Sequence, residues 1–322
     1  MKASDFLSST LNFYPNRDPR LRSFALWYFA ILISLWMIAG LTILGFEQSY
    51  AHPIVGVGTA VCVQALLEWL SASVDGRRPR FLNGTREFLD FLPPCIIPGV
   101  ACAMLVYPNE RLWPVAFAAG LAVASKVLFR APVGDGRTQH VFNPSNIGIT
   151  TTLLLLPSVG LAPPYQFTEN VTGILRWIIP AVVLLAGIFV HAKFTGRLPL
   201  VVAWLAGFAI QGILRSVAFN IPIIVPFVPT TSAAFILFTL FMIPDPATTP
   251  IRPWRQVLFG FSVAALYGLL FVVHVVFGLF IALASVCAAR GIGLYFVNFR
   301  KDRVSPVFAL SAQRVAATAA GD

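Results

Sequence analysis

Charge is what this chain has least of. Only 11% of its 322 residues are Asp, Glu, Lys or Arg, and acidic residues are the scarcer kind, 13 against 23 basic. Soluble domains carry roughly a quarter charged residues, so 57% hydrophobic residues with a mean hydropathy of +0.80 exclude a soluble globular fold. Cysteine is sparse too. Cys62, Cys95, Cys102 and Cys287 show no C-x-x-C spacing and sit in apolar runs, which argues against iron–sulfur or zinc ligation within the chain and makes them small buried hydrophobes. Four histidines remain, at 52, 140, 191 and 274, and their spacing does not demand a bis-His haem, which needs a pair on facing helices at matched depth. No G-x-S-x-G occurs, so nucleophilic hydrolysis lacks its most recognisable signature.

What the chain has in abundance is long apolar runs. A membrane span needs about 20 mostly apolar residues, and the sequence offers ten candidates: 23–45, 55–74, 87–107, 112–129, 143–157, 173–192, 198–215, 230–244, 257–274 and 277–297. The fifth and eighth are short, and the last two are separated on length alone. Basic residues alternate with these runs. The even-numbered connections hold Arg77, Arg78, Arg80 and Arg86, then Arg130 and Arg137, Lys193 and Arg197, and Arg252 and Arg255. The odd-numbered ones are nearly free of net positive charge, and 216–229 has no charge at all. Under the positive-inside rule both termini are expected in the cytoplasm. The formal charge of +10 is that bias, so no nucleic-acid partner is expected. The first run is long enough to span and follows 22 polar residues, so it reads as a span and not a removable leader.

The chain also resembles itself. Val115-Ala-Phe-Ala-Ala-Gly-Leu-Ala-Val123 returns 87 positions later as Val202-Ala-Trp-Leu-Ala-Gly-Phe-Ala-Ile210. The same offset carries Ser145 onto Ser232, Ile149 onto Ile236, Thr152 onto Thr239 and Pro157 onto Pro244. Segments 87–157 and 173–244 therefore read as two copies three crossings apart, which places them in opposite orientations. Inverted repeats recur in transporters, where sites lie between the copies and are built from interrupted helices. Pro93, Pro94, Pro98, Gly99 and Pro180, with the proline-rich 222–229, mark either interruptions or simple kinks.

Two polar motifs flank the repeat on one side. His140-Val-Phe-Asn-Pro-Ser-Asn146 leads into the fifth run and Pro244-Asp-Pro-Ala-Thr-Thr-Pro250 leads out of the eighth. Asn143 and Ser145 suit helix caps, and Asp245 with Thr248 suits a self-closing turn. The same carboxamides and hydroxyls at a helix N-terminus, with Asn146, equally suit a polar or phosphate-bearing ligand. Ionisable residues inside apolar runs are costly and draw attention to Glu68, Asp90 and Lys126. Each lies near a cytoplasmic end, so snorkelling or pairing with Arg77, Arg78 or Arg130 is one reading. In the other, Glu68 and Asp90 offer oxygens to a migrating cation and Lys126 faces a ligand phosphate. Thr152, in the run Thr150-Thr151-Thr152, either packs a helix or lines such a path.

At these residues the chain resembles the NqrB/RnfD family, membrane subunits of sodium-pumping NADH:quinone reductase and of Rnf electron-transport complexes. Asn143-Pro144-Ser145-Asn146 with Gly148 is similar to the family's N-P-x-x-x-G segment. Ser232-Ala-Ala followed by an apolar run and Asp245-Pro246-Ala247-Thr248 resembles its S-G-A-T-run-D-P-x-T segment, and Asn83-Gly84 resembles its first-repeat turn. The resemblance spans about 75–299. It implies a ten-helix inverted-repeat fold of urea-transporter-like architecture, in a bacterial inner membrane. It further implies FMN or riboflavin as cofactor and electron transfer coupled to Na⁺ or H⁺ movement beside other subunits of a redox complex. The family's D-G-x-S-x-A-T-P flavinylation loop is absent. The connection Ser158–Thr172 carries Thr168 and Thr172 without the required neighbours, so any flavin is expected to be noncovalent. In this respect the chain resembles a divergent branch found with enediyne biosynthesis.

The sequence thus leads to an all-α integral membrane protein in three parts: a cytoplasmic interfacial segment 1–22, one polytopic domain 23–299, and a cytoplasmic tail 300–322. Its expected cofactor-binding residues are Asn143, Ser145, Asn146, Asp245, Thr248 and Lys126, and its expected ion pathway is Glu68, Asp90 and Thr152. A flavin-associated electron-transfer subunit is the first functional expectation. A non-redox transporter or channel for a small solute or natural product is the second.

Overall fold

The computed structural model of the chain describes residues 19–134, 137–162, 170–231 and 233–319. The lead-in 1–18, Thr168 and Ser232 lie outside the described residues. The protein is an all-α membrane protein, and among the described residues seven helices are long and apolar enough to cross a bilayer: Ser23–Leu44, Ala51–Val74, Thr85–Leu105, Trp177–Thr195, Leu198–Phe219, Pro253–Val272 and Gly278–Phe299.

In chain order the helices are α1 (Pro19–Ala39), α2 (Ala51–Val74), α3 (Thr85–Phe91), α4 (Pro93–Leu105), α5 (Trp113–Leu128) and α6 (Pro144–Leu155). They continue as α7 (Leu175–Val190), α8 (Leu198–Phe219), α9 (Ala233–Leu237), α10 (Pro253–Val272) and α11 (Gly278–Ala319). A turn at 273–277, with His274 and Phe277 at positive φ, separates α10 from α11. The backbone of α11 stays helical to Ala319. Two small sheets complete the fold. β1 (Val106–Tyr107) pairs with β4 (Gly160–Leu161), and β2 (Arg130–Gly134) pairs with β3 (Arg137–His140) in an antiparallel hairpin with a bulge near Pro132. From sequence alone Arg130 to Arg137 is expected as a basic connection without regular structure; it pairs instead as this hairpin.

Several apolar runs do not form full spans. α6 has 12 residues and so rises only about 18 Å, far short of a hydrocarbon core of about 30 Å. The eighth run divides into a 3₁₀ segment, Val225–Thr231, then α9, then a π turn, Phe238–Met242. Prolines bring about these breaks, because each removes an N–H and clashes with the carbonyl four residues earlier.

Packing gives each half a similar plan. α2 lies against α4 and α5, and α5 packs along α6. α8 lies against α10, with the 3₁₀ and π segments beside it, and α10 packs on α11. Both α1 and α7 run into a five-residue π turn, Gly40–Leu44 and His191–Thr195. Each turn is closed by a glycine in the left-handed region, Gly45 at φ 85° and Gly196 at φ 62°, a conformation that costs glycine nothing and other residues strain. Trp204, Phe208, Phe238 and Ile149 lie in the core with Leu200, Val263 and Ala264. Large exposed apolar side chains such as Ile54, Val74, Trp177, Leu185 and Leu258 face outward, as lipid-facing surfaces require.

α8 and α10 approach closely through Gly260, where an added Cβ would stand 2.7 Å from the Leu200 carbonyl oxygen and 2.9 Å from Trp204 N. Because both neighbours are backbone, the helices must separate to admit a side chain. The substitution Gly260→Val is expected to cost about 1–3 kcal/mol, read as a lowered unfolding midpoint of the detergent-solubilised protein. An unchanged midpoint would show that the two helices tolerate separation.

Candidate functional site

The polar interior is organised around carbonyls that prolines leave without helical donors. Leu240 lies within the π turn and Met242 at its end, and in α-helical register the N–H groups that would serve them belong to residues 244 and 246, both proline. In lipid such carbonyls must be satisfied by protein. The His191 Nε2 donates to the Leu240 carbonyl. Since a carbonyl can only accept, Nε2 carries the proton and Nδ1 accepts from Thr195 Oγ1 at 2.8 Å. Asn143 Nδ2 donates to the Met242 carbonyl at 3.1 Å.

Asn143 also caps α6. Its Oδ1 accepts from Asn146 N at 2.9 Å, as the sequence led one to expect. Its amide further reaches Asp245 Oδ2 at 3.5 Å, so the two polar motifs meet. Asp245 closes its own turn: Oδ1 accepts from Ala247 N, Oδ2 from Thr248 Oγ1, and its carbonyl from Thr248 N and Thr249 N. Thr248 is buried, while Asp245 is half-buried. Asn146 Nδ2 donates to the Phe280 carbonyl at 3.0 Å, tying α6 to the start of α11. Ser145 is buried beside them.

Arg197, read from the sequence only as part of a basic connection, is the central cation of this cluster and is 1% exposed. Nε donates to Thr249 Oγ1 at 2.8 Å and Nη2 to the Pro246 carbonyl at 3.1 Å. Burial pushes its guanidinium down to about 10, partly offset by the Asp245 carboxylate and reinforced by Arg290, so it remains charged at neutral pH. Gln139 links the cluster to β3 and α11, donating to the Pro246 carbonyl and accepting from Arg290 Nη2. Gln256 Nε2 donates to the Gly196 and Ile251 carbonyls. Three buried atoms of these residues have no hydrogen-bond partner among the described residues: Arg197 Nη1, Asn146 Oδ1 and Gln256 Oε1. One cationic donor and two acceptors left open in a buried cluster match a ligand bearing both anionic or carbonyl oxygens and N–H or O–H groups.

A second cluster forms at the break between α3 and α4. Pro98 deprives the Pro94 carbonyl of its donor, and Lys126 Nζ supplies one at 2.8 Å while also donating to Gln64 Oε1 at 2.9 Å. Gln64 Nε2 in turn donates to the Phe91 carbonyl. Lys126 thus bonds to residues of the first half of the chain, whereas Asn143 and Arg197 bond to the 242–249 segment. At the far end of α4 the Met104 carbonyl, four residues before Pro108, takes Gln48 Nε2.

The expected pathway residues each have their own partners. Glu68 accepts from Arg77 Nη1 at 2.6 Å and from Arg80 N at 3.0 Å, fastening the turn after α2. Arg77 is exposed, and Glu68 raises the pKa of its guanidinium. Asp90 accepts from Ser23 on α1. Thr152 is buried and donates back to the Gly148 carbonyl on its own helix. The sequence reading missed Arg197, His191, Gln48, Gln64 and Gln256. For Arg197, His191 and Gln48 the signal is a proline four residues beyond the carbonyl served. For Gln64 and Gln256, whose partner carbonyls stand four residues before Cys95, Leu200 and Arg255, the signal is no more than a polar amide inside or beside an apolar run.

No protein-family model matches this chain, and no curated protein is detectably similar to it.

Lys126→Met leaves the Pro94 carbonyl and Gln64 Oε1 without donors in a buried setting. It is expected to destabilise the protein by about 1–3 kcal/mol, whereas Glu68→Gln, at a turn whose partner lies in solvent, is expected to leave the unfolding midpoint nearly unchanged. Thermal unfolding of the two variants in one detergent checks the contrast, and equal losses would contradict it.

Proposed function

We propose that the protein is a flavin-associated membrane subunit of an electron-transport system, binding FMN or riboflavin without a covalent link at the Asn143–Asp245–Arg197 cluster. The observation that carries this reading is the set of open buried atoms: Arg197 Nη1 as cationic donor, with Asn146 Oδ1 and Gln256 Oε1 as acceptors. A flavin offers the complement, with ring carbonyls and, in FMN, a phosphate as acceptors, and a ring N–H and ribityl hydroxyls as donors. The resemblance of the Asn-Pro and Asp-Pro motifs to NqrB/RnfD subunits supports the same reading, and it places electron transfer, coupled to Na⁺ or H⁺, beside partner subunits of a redox complex in a bacterial inner membrane.

The architecture we propose is ten crossings in two inverted copies, urea-transporter-like in plan, with both termini cytoplasmic. Packing favours a unit of five elements over the three suggested by the offset of 87 residues. In that pairing α1 and α7 match through their π turns and left-handed glycines, and α2 matches α8. The interrupted α3–α4 matches the interrupted 225–242 segment, α5 matches α10, and α6 matches α11. At the offset of 87, by contrast, α5 and α6 correspond to α8 and α9, yet α8 has α10 as its main neighbour. An odd number of crossings inverts the second copy either way. Gln48 and Arg197, each in the link between its copy's first two helices, then do the same work at opposite faces: each donates to a carbonyl at the end of the interrupted element.

The missing flavinylation sequence in 158–172 favours a second reading. In it the same inverted bundle passes a small solute or natural product without redox chemistry, using the Lys126 and Asn143 clusters as polar stations.

Visible absorbance of the purified protein separates the two. The flavin reading predicts a yellow protein whose chromophore is released by acid and whose retention falls several-fold in Arg197→Gln. Colourless protein from cells supplied with riboflavin, passing solute in proteoliposomes, would overturn it.

A further inference from the structure

The other end of α8 carries a second buried arginine whose charge nothing in the cluster above uses. Arg215 lies 18 residues beyond Arg197, about 27 Å along the helix axis and so close to a full hydrocarbon thickness away. Its side chain is 6% exposed, and Nε and Nη2 are buried with no hydrogen-bond partner. Its guanidinium stacks over the Phe271 ring at 3.9 Å from the centroid. Stacking satisfies the flat face of the cation and leaves its edge donors unused. The two ion pairs among the described residues are both made by Arg77, so no carboxylate among the described residues neutralises Arg215.

One turn earlier on the same helix, Gln211 is also buried and its Oε1 has no partner, its amide nitrogen being spent on the Phe208 carbonyl. Gly268 on α10 holds it in place, since a Cβ there would stand 3.0 Å from that same oxygen. Residues four apart on a helix are neighbours on one face. Two charged donors and one acceptor are thus left open side by side. An unpaired buried cation is far costlier than an unpaired amide, so whatever completes this place must bring negative charge to Arg215. To serve Gln211 as well, it must bring a hydroxyl.

We propose that Arg215, Gln211 and Phe271 form a binding site for a phosphate-bearing anion that also carries a hydroxyl, at the end of α8 opposite Arg197. Hydrogenphosphate has this chemistry, and so does the phosphodiester of a phosphatidylglycerol headgroup with its glycerol hydroxyls. The surroundings favour the lipid. Leu214, Val217, Phe219, Ile223, Ile224 and Val273 are exposed, and Phe271 itself is 49% exposed, so acyl chains have apolar surface to lie on while the headgroup reaches inward.

Native mass spectrometry of the full chain tests the site, with dioleoyl phosphatidylglycerol, dioleoyl phosphatidylcholine or inorganic phosphate added to the detergent. The expected result is one retained phosphatidylglycerol held at least about tenfold more tightly than phosphatidylcholine, with this preference lost in Arg215→Gln and partly kept in Arg215→Lys. Retention of inorganic phosphate with the same dependence on Arg215 would support the site and assign it to a soluble anion. Equal retention of the two lipids with no retained phosphate overturns the proposal, as does retention unaffected by Arg215→Gln. Should Arg215→Gln fail to fold, Phe271→Leu replaces it: a weakened preference supports the site and an unchanged one overturns it. None of these outcomes depends on flavin.

Discussion

The constraint on which this structure rests is that a carbonyl facing proline at the next helical turn has no backbone donor, and a membrane interior offers no water to replace it. Among the described residues several such carbonyls recur at the interruptions; the Pro246 carbonyl, four before Pro250, takes Arg197 and Gln139. Pro94 is served by Lys126, Met104 by Gln48, Leu240 by His191 and Met242 by Asn143. Each donor comes from a different element than the carbonyl it serves. The prolines therefore do more than break helices, since they create obligatory tertiary hydrogen bonds, and those bonds hold the link before α2, the helix α5, the start of α6 and the turn after α7 around the breaks.

The candidate site is a consequence of the same constraint. Once Pro244 and Pro246 stop the 233–242 segment, the chain must turn within protein. Asp245, Thr248 and Thr249 close that turn locally. The turn then presents the Pro246 carbonyl to Arg197 and Gln139. Polar groups gathered to satisfy backbone are not all consumed by it, and the remainder, Arg197 Nη1, Asn146 Oδ1 and Gln256 Oε1, is what gives the place chemical potential. Structural need and binding capacity share the same residues here, which is why substitutions must be read on both stability and ligand retention.

Much of this was legible in the chain. Apolar runs marked the helices, including the shortness of the fifth and eighth, because hydrophobic length is a local property. Asn143 as a cap and Asp245 as a turn followed from short-range chemistry. Their meeting did not, since residues 102 apart are joined only by packing. The partners of Lys126, Gln64 and the Pro94 carbonyl, were not legible for a related reason: charge alternation assigns a side of the membrane and says nothing about lateral position. Arg197 looked like one more cytoplasmic cation, and only the Pro246 and Thr249 oxygens distinguish it from Lys193. The β2–β3 hairpin escaped notice because its residues, Arg130 to His140, are mixed in character and too short to show a period.

The most direct test is a double-mutant cycle between Asn143 and Pro246, scored by unfolding free energy in detergent. Pro246→Ala gives the Met242 carbonyl an N–H four residues on, so the penalty for Asn143→Leu should shrink by about 1 kcal/mol or more in that background. An Asn143→Leu penalty identical with and without Pro246 would mean that the buried amide does not stand in for the missing backbone donor, and the account would fail at its root.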